Sequence, residues 1–275
     1  MYGGHLLALG TASIAASASF IIGKNPTVDL LAMAYLFSFG AYAVNRASDF
    51  NQDRESHPDR TAYLEGRRRA LPAVAAGSFA VGYGLALFRN LYFFAGLLLP
   101  LVLAIAYSVG SKRMQSVLGF SRLKEGLLLK NVVVSFGWSL IPVLVGLYFL
   151  DVRASLLVFC PFIFLRLMVN TIFFDARDVG ADEGHGVRTI PGALGLGRAL
   201  RVMDVLDIGS ALLILLLVLT SYLPVSAGLL AVFTPYSFAY RYYSLRSTQH
   251  RDSLRDFAAD GEYALWGFVT YLGQV

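Results

Sequence analysis

Nine long runs of apolar residues follow one another along the chain, separated by shorter polar stretches. Leu, Val, Ala and Phe fill these runs, without the alternation of apolar and polar positions that marks a β-barrel strand. About 20 apolar residues match the thickness of a bilayer core, where backbone groups must pair internally, so the pattern predicts helices. The predicted segments are 6–23, 28–46, 70–88, 91–109, 131–150, 154–174, 205–222, 224–241 and 255–273.

The composition agrees with a membrane protein. Of the 275 residues, 56% are hydrophobic and 15% are charged, whereas a soluble domain has about 25% charged residues. We therefore predict an all-α polytopic membrane protein with nine transmembrane helices bundled around a central cavity. The first segment lacks a basic leader, so we interpret it as a helix that is kept, not as a signal peptide. The one cysteine, Cys160, excludes an internal disulfide.

The basic residues indicate how the helices are oriented. Most of the 23 Lys and Arg residues fall in four connections, at 46–69, 112–130, 177–201 and 241–255. With nine helices, these connections all lie on one side of the membrane. The positive-inside rule then predicts that this side and the N-terminus are cytoplasmic.

Two acidic clusters lie at the ends of the second and sixth apolar segments, on the predicted cytoplasmic side. The first is NRASDFNQD, residues 45–53, and the second is DARDVGAD, residues 175–182. Steps of three and four residues keep side chains on one face of a helix. Three candidate ligands therefore share a face in each cluster, namely Asn45, Asp49 and Asp53 in the first and Asp175, Asp178 and Asp182 in the second.

Such carboxylates are hard oxygen ligands that suit Mg2+, which usually also binds phosphate oxygens. Two facing clusters predict two ions that hold one diphosphate and neutralise the charge on it as it departs. The similar clusters also predict two related halves within a single domain 1–275, roughly 1–110 and 131–241, followed by a ninth helix. The cavity is expected to open toward the cytoplasmic side.

Basic residues close to the clusters are candidates for binding the diphosphate directly. Lys112 and Arg113 follow Tyr107 at the end of the fourth segment, Arg60 follows the first cluster and Arg188 follows the second. The positive-inside rule alone would also place basic residues here, and for Lys112 and Arg113 both interpretations stay open.

Arg166 and Asn170 lie one turn apart inside the sixth segment. An arginine within a membrane is costly, so it is expected to face a cavity or an acidic partner. Two roles stay open for Arg166, either contact with a substrate or a structural ion pair within the bundle.

The two clusters together resemble the motifs of the UbiA superfamily of intramembrane prenyltransferases, NDxxDxxxD after the second helix and DxxDxxxD after the sixth. The second cluster continues as EGHGVRTIP, residues 183–191, which is similar to the DxxxGxxTLP continuation of that family. The stretch YSVGSKR, residues 107–113, resembles the tyrosine and Lys-Arg pair after the fourth helix. One position departs from the family pattern, because Arg46 stands where an Asp usually follows the Asn.

The resemblance implies a Mg2+-dependent enzyme that ionises an allylic prenyl diphosphate and transfers the prenyl group to an aromatic or alcohol acceptor. By motif, Asn45, Asp49 and Asp53 would hold one ion and Asp178 and Asp182 the other, with Asp175 assisting. Lys112 and Arg113 would bind the diphosphate. The implied partners are the prenyl diphosphate, a lipophilic acceptor and membrane lipid, with no nucleic acid.

Two other classes of membrane protein also place acidic residues in or beside membrane helices. A CDP-alcohol phosphotransferase also uses aspartates and metals at the membrane edge, but its signature is one continuous block, whereas the acids here form two distant clusters. A cation transporter places ionisable groups near the bilayer midplane. Here the acids crowd the helix ends, which argues against transport.

Overall fold

The computed structural model of this chain consists of helices and the loops between them. It describes residues 4–56, 58–119, 122–126, 128–184, 189–246 and 252–274. Within these ranges every regular element is a helix. The α-helices are α1 His5–Ile21, α2 Val28–Ser56, α3 Pro58–Glu65, α4 Leu71–Arg89, α5 Leu91–Gly96, α6 Leu98–Ser108, α7 Lys112–Leu118, α8 Leu129–Ser139, α9 Ile141–Phe149, α10 Ala154–Gly184, α11 Ile190–Leu194, α12 Leu196–Leu219, α13 Val225–Gly228, α14 Phe233–Arg246 and α15 Asp252–Leu272. Two short 3-10 turns lie at Leu123–Glu125 and Leu229–Val232.

The prediction of helices for the apolar segments is confirmed, with several corrected boundaries. Helices α2 and α10 continue well past the apolar runs, through both acidic clusters. The seventh segment was expected to begin at 205, but α12 begins at Leu196. The eighth was expected to be one helix, but it consists of α13, a 3-10 turn and α14, after Pro224.

Six stretches of the described chain are long and apolar enough to cross a membrane. They are Val28–Phe50, Leu71–Arg89, Leu91–Ser108, Leu129–Phe149, Ala154–Val179 and Leu196–Leu219. Helix α1 is apolar but shorter. The chain is thus a multi-pass membrane protein, while the count of nine spanning helices and the division into two related halves stay predictions.

Helix α1 packs along α15, where small residues let the two backbones approach closely. Ser13 Oγ accepts a hydrogen bond of 2.7 Å from the backbone N–H of Gly267, and Thr270 and Ser17 hydroxyls lie 3.2 Å apart. A methyl group added at Gly267 would lie 3.0 Å from the Cβ of Ala16. Close packing of this kind replaces hydrophobic burial as the source of helix association in lipid.

Ion pairs buried among four helices hold the second half of the chain together. Arg166 of α10 pairs with Asp207 of α12 and with Glu262 of α15. Arg241 of α14 pairs with Asp207 at 2.6 Å and with Asp204 at 3.0 Å. Because Arg166, Asp207, Arg241 and Glu262 are fully buried, loss of one partner would leave an uncompensated charge. The acidic partner expected for Arg166 is therefore confirmed.

A second set of interacting polar side chains connects helices at the other end of α2, far from the acidic clusters. Tyr148 donates a hydrogen bond of 2.7 Å to Asp29, and its hydroxyl also lies 2.5 Å from that of Thr27. The guanidinium of Arg89 stacks on the Tyr148 ring at 4.2 Å, and Asn90 donates to the backbone carbonyl of Tyr148. Three connections are thereby joined at this end.

Candidate active site

A cavity of about 500 Å³ lies inside the bundle, and its lining residues come from α1, α2, α4, α5, α6, α8, α9, α10 and α15 and from the 3-10 turn before α8. Its wall is mainly apolar toward one end, where Leu30, Phe37, Phe93 and Val145 contribute. Charged and polar side chains gather at the other end, among them Asn45, Arg46, Asp49, Arg122, Glu125, Lys130, Asp175, Arg177 and Asp178. A molecule with an anionic head and a hydrocarbon tail would match both ends of this cavity.

The first acidic cluster lies on the last turns of α2, which carries it beyond the apolar part of that helix. Asp49 is buried, with 8% of its surface exposed. Its carboxylate accepts hydrogen bonds from Ser48 at 3.2 Å and from Arg122 at 3.3 Å. The Asn45 amide fits its neighbours when its nitrogen donates to Asp49 at 2.9 Å and its oxygen accepts from Arg46 at 2.8 Å.

The second cluster lies on α10, where its carboxylates also contact cations. Asp175 is 1% exposed, accepts a hydrogen bond of 2.9 Å from Asn131 and pairs with Lys130 at 2.7 Å. Asp178 accepts two hydrogen bonds from Arg177, at 2.6 and 2.7 Å. Both carboxylates line the cavity. Each cluster therefore presents oxygen ligands and cations to one space.

Tyr107, at the end of α6, lies near both clusters. It is within electrostatic range of Asp49 and Arg46 from the first cluster, of Asp175 from the second and of Lys130 from α8. Since Tyr107 also lines the cavity, the ends of α2, α6 and α10 meet around a common site. The similar acidic clusters, far apart in the sequence, are thus close together in the fold.

The structure brings only some of the predicted site residues together. Five of them line the cavity together, namely Asn45, Asp49, Tyr107, Asp175 and Asp178. Lys112 is exposed and does not line it. Four side chains, those of Asp53, Arg60, Arg113 and Asp182, lie outside the described part of the structure, as does the whole of Arg188.

Sequence reasoning did not select several cations that the fold places at the site. Arg122, Lys130 and Arg177 all line the cavity, each beside an aspartate of a cluster. In the sequence they are visible only as part of the positive charge of the connections that are predicted to be cytoplasmic. Arg177 could have been selected from the sequence, because it is next to Asp178. Arg122 could not, because it is far from both clusters in the sequence.

The donor atoms at the charged end fit Mg2+. They are carboxylate and amide oxygens, which this ion prefers, and phosphate oxygens and water commonly complete its coordination. Among the described residues, no three acidic, His or Cys side chains form a complete ion site by themselves. The chemistry of the donors therefore suits an ion that arrives together with a phosphate group.

A comparison with protein families decides between the functions considered above. The model of the UbiA prenyltransferase family matches residues 6–267. The chain belongs to the UbiA prenyltransferase family. Membership of this family favours prenyl transfer over the two alternatives, a CDP-alcohol phosphotransferase and a cation transporter.

Individual UbiA relatives agree with this assignment. Digeranylgeranylglyceryl phosphate synthase from Methanopyrus kandleri is 35% identical over 182 residues, which cover 63% of this chain and 60% of that protein. A UbiA homologue from Archaeoglobus fulgidus bound to DMAPP and Mg2+ superposes with a TM-score of 0.70 at 16% identity, over 98% of this chain and 99% of the other. An apo UbiA homologue from Aeropyrum pernix K1 superposes with a TM-score of 0.70 at 16% identity, over 100% of this chain and 98% of the other. These two structures share the fold.

Proposed function

We propose that this UbiA enzyme transfers a prenyl group from an allylic prenyl diphosphate to a hydroxyl of a glycerol-phosphate lipid within the membrane. The observation that carries the proposal is the division of the cavity into an apolar end and an end lined by carboxylates and cations. A prenyl chain buried against apolar walls would direct its diphosphate toward the ends of α2 and α10. The reacting carbon would then lie next to the charged end and away from bulk water.

In this proposal the acidic clusters bind the diphosphate through Mg2+. Asn45, Asp49 and Asp53 would hold one ion and Asp178 and Asp182 a second, with Asp175 assisting. When bound, the ions would neutralise the negative charge of the departing diphosphate. A relative in the family was solved with DMAPP and Mg2+, which supports the use of this ion.

Cations of the cavity would contact the phosphate oxygens directly. Arg122 and Arg177 present planar guanidinium groups that suit bidentate binding of phosphate. Lys130 adds a third positive charge next to Asp175. These residues now pair with carboxylates, so arrival of an ion and a phosphate would let each carboxylate bind the ion while its arginine or lysine binds the phosphate.

The acceptor is proposed from the named relative. Digeranylgeranylglyceryl phosphate carries two prenyl groups on a glyceryl phosphate, so its synthase joins a second prenyl group to a hydroxyl. An acceptor with its own phosphate would suit a cavity that several cations line. We accordingly propose geranylgeranyl diphosphate as donor and geranylgeranylglyceryl phosphate as acceptor, both reached from the cytoplasmic side.

The test uses the purified protein in detergent with these two substrates and Mg2+, and identifies the product by mass. Asp49→Ala and Asp178→Ala are each expected to lower transfer at least ~100-fold, because each removes an oxygen that stabilises the diphosphate as charge develops. Donor binding to the wild-type protein is expected to tighten with Mg2+.

Asp151→Ala is the matched control, because this acid pairs with Arg153 in the connection before α10, away from the cavity. It is expected to behave like the wild-type protein. Full Mg2+-dependent transfer by both cluster variants would disprove the metal-binding assignment. So would a donor affinity that a chelator leaves unchanged.

A further inference from the structure

A fourth aspartate, Asp260, reaches the cavity from α15, outside both acidic clusters. It lines the cavity together with Asn170, Thr171 and Phe174 of α10. Two residues further along, Glu262 takes part in the buried ion pair with Arg166 and does not line the cavity. Asp260 and Glu262 of α15 therefore have separate surroundings.

The depth of Asp260 follows from how α15 packs on α10. Asn170 donates a hydrogen bond of 3.3 Å to the backbone carbonyl of Ala259, and Tyr263 donates one of 2.9 Å to that of Arg166. These contacts pair the two helices in antiparallel fashion and place Asp260 level with Asn170. Position 170 precedes position 178 by eight residues, which corresponds to about 12 Å along a helix.

Asp260 consequently lies deeper in the bundle than the clusters that we assign to the diphosphate. Side chains lean toward the N-terminus of their helix, so Asp178 on α10 and Asp260 on antiparallel α15 lean toward one another. Because both carboxylates line one cavity, a phosphate ester bound at the level of Asp178 would have Asp260 on its inner side. For Asp260 to act as a general base, the hydroxyl that attacks the first carbon of this ester would approach Asp260 to roughly 3 Å.

The backbone that carries Asp260 is held from two sides. Asn170 of α10 binds the carbonyl of Ala259, and Tyr236 of α14 donates a hydrogen bond of 2.9 Å to the carbonyl of Ala258. One turn of α15 is thus fixed against the helix that bears the second cluster. A catalytic carboxylate benefits from such support, since small displacements of a reacting group cost rate.

We infer that Asp260 is the general base that takes the proton from the acceptor hydroxyl, an inference that rests on the proposed function. The bond between the first prenyl carbon and the diphosphate oxygen breaks, and the electron pair leaves with the diphosphate. A lone pair of the acceptor oxygen forms the new ether bond to that carbon. The proton of this oxygen passes to the carboxylate of Asp260 and from there to water at the charged end of the cavity.

The experiment follows two products of geranylgeranyl diphosphate with Mg2+. One is the ether formed with geranylgeranylglyceryl phosphate, and the other is the prenyl alcohol formed when water captures the ionised donor. Asp260→Asn is expected to lower ether formation by 10²–10⁴-fold, the usual contribution of a general base. Donor affinity and Mg2+-dependent formation of the alcohol should stay within about threefold of wild type, because the clusters are intact.

Two further variants make the test specific. Formate is expected to restore part of the ether formation in Asp260→Ala, because a small carboxylate can take the vacant place, which no purely structural role would allow. Glu262→Gln, two residues away in the buried ion-pair network, is the matched control. It is expected to lower thermal stability without changing the ratio of ether to alcohol.

Each other outcome overturns a defined part of the scheme. Ether formation by Asp260→Asn at the wild-type rate would disprove the inference, as would a parallel loss of donor binding or an absence of rescue by formate. A wild-type protein that forms the alcohol but no ether would disprove the proposed acceptor. One that forms neither product would disprove the proposed function itself.

Discussion

At the scale of single residues, the fold determines which basic side chains line the cavity, and closeness to a motif in the sequence does not. Lys112 follows Tyr107 closely in the chain, yet its side chain is exposed and away from the cavity wall. Arg122 comes ten positions later, from the connection before α8, and reaches Asp49 at 3.3 Å. We therefore expect Arg122, and not Lys112, to contact the diphosphate directly.

The substitution Arg122→Met tests this assignment. It is expected to raise the KM for the prenyl diphosphate about tenfold or more, because a hydrogen bond to a charged group contributes roughly 1.5–3 kcal/mol. Lys112→Met is the matched control and should change this KM less than about threefold. Equal effects of the two substitutions, or a larger effect at Lys112, would show that the connection rearranges when the donor binds. Steady-state kinetics with donor concentration as the variable provide the measurement.

At the scale of helices, α15 supports the active site although it carries neither cluster. It packs on α1 through small residues, and on α10 through Glu262 and the carbonyl of Ala259. Arg166 thereby connects α15 to the same helix that bears Asp178. Disturbing the contact between α1 and α15 should therefore loosen one wall of the cavity.

Gly267→Ala tests the close contact between these two helices. The new methyl group would lie 3.0 Å from the Cβ of Ala16 and 3.0 Å from the backbone oxygen of Ser13. Overpacking of this kind costs about 1–3 kcal/mol, so the thermal unfolding temperature in detergent should fall.

Gly209→Ala on α12 is the control, because nothing lies within 4 Å of its added methyl group. Alanine is the better helix former, by roughly 1 kcal/mol in water, so this variant should unfold at the same temperature or higher. If both variants shifted in the same direction, the contact between α1 and α15 would not limit stability.

At the scale of the whole molecule, the two ends of the bundle differ in chemistry. One end gathers the acidic clusters and the cations that pair with them, and the other is tied by Tyr148 with Asp29 and Arg89. Asp29 and Asp49 lie on the same helix, separated by about 30 Å at 1.5 Å per residue. Since basic connections stay in the cytoplasm, the active-site end is expected on that side.

Fusion of a reporter enzyme determines this orientation. A reporter placed after Arg69, in the connection between α3 and α4, is expected to be active on the cytoplasmic side. The matched fusion after Arg89, beyond α4, should be active on the opposite side. The reverse pair of results would contradict the assigned orientation, and two identical results would show that Leu71–Arg89 does not cross the membrane.

Sequence patterns predicted the helices and both clusters because these depend on local composition and helical spacing. Boundaries failed where polar residues continue a helix, as at Arg198 and Arg201 near the start of α12, or where Pro224 interrupts an apolar run. Arg122 and Asp260 could not be predicted, since their place in the cavity depends on how distant helices pack.

The pairing of α1 with α15 also has a consequence for how the protein is made. Ser13 and Gly267, which form a hydrogen bond across this pair, are 254 residues apart in the chain. During synthesis the ribosome adds about 5–20 residues per second, so α1 waits on the order of tens of seconds for its neighbour. Through that interval the small residues of α1 face lipid or a chaperone, and the cavity has no wall at Asp260. We therefore expect the enzyme to become competent only when α15 is in place, so a ribosome that stalls before residue 252 should leave an inactive protein in which the small residues of α1 lack their partner helix.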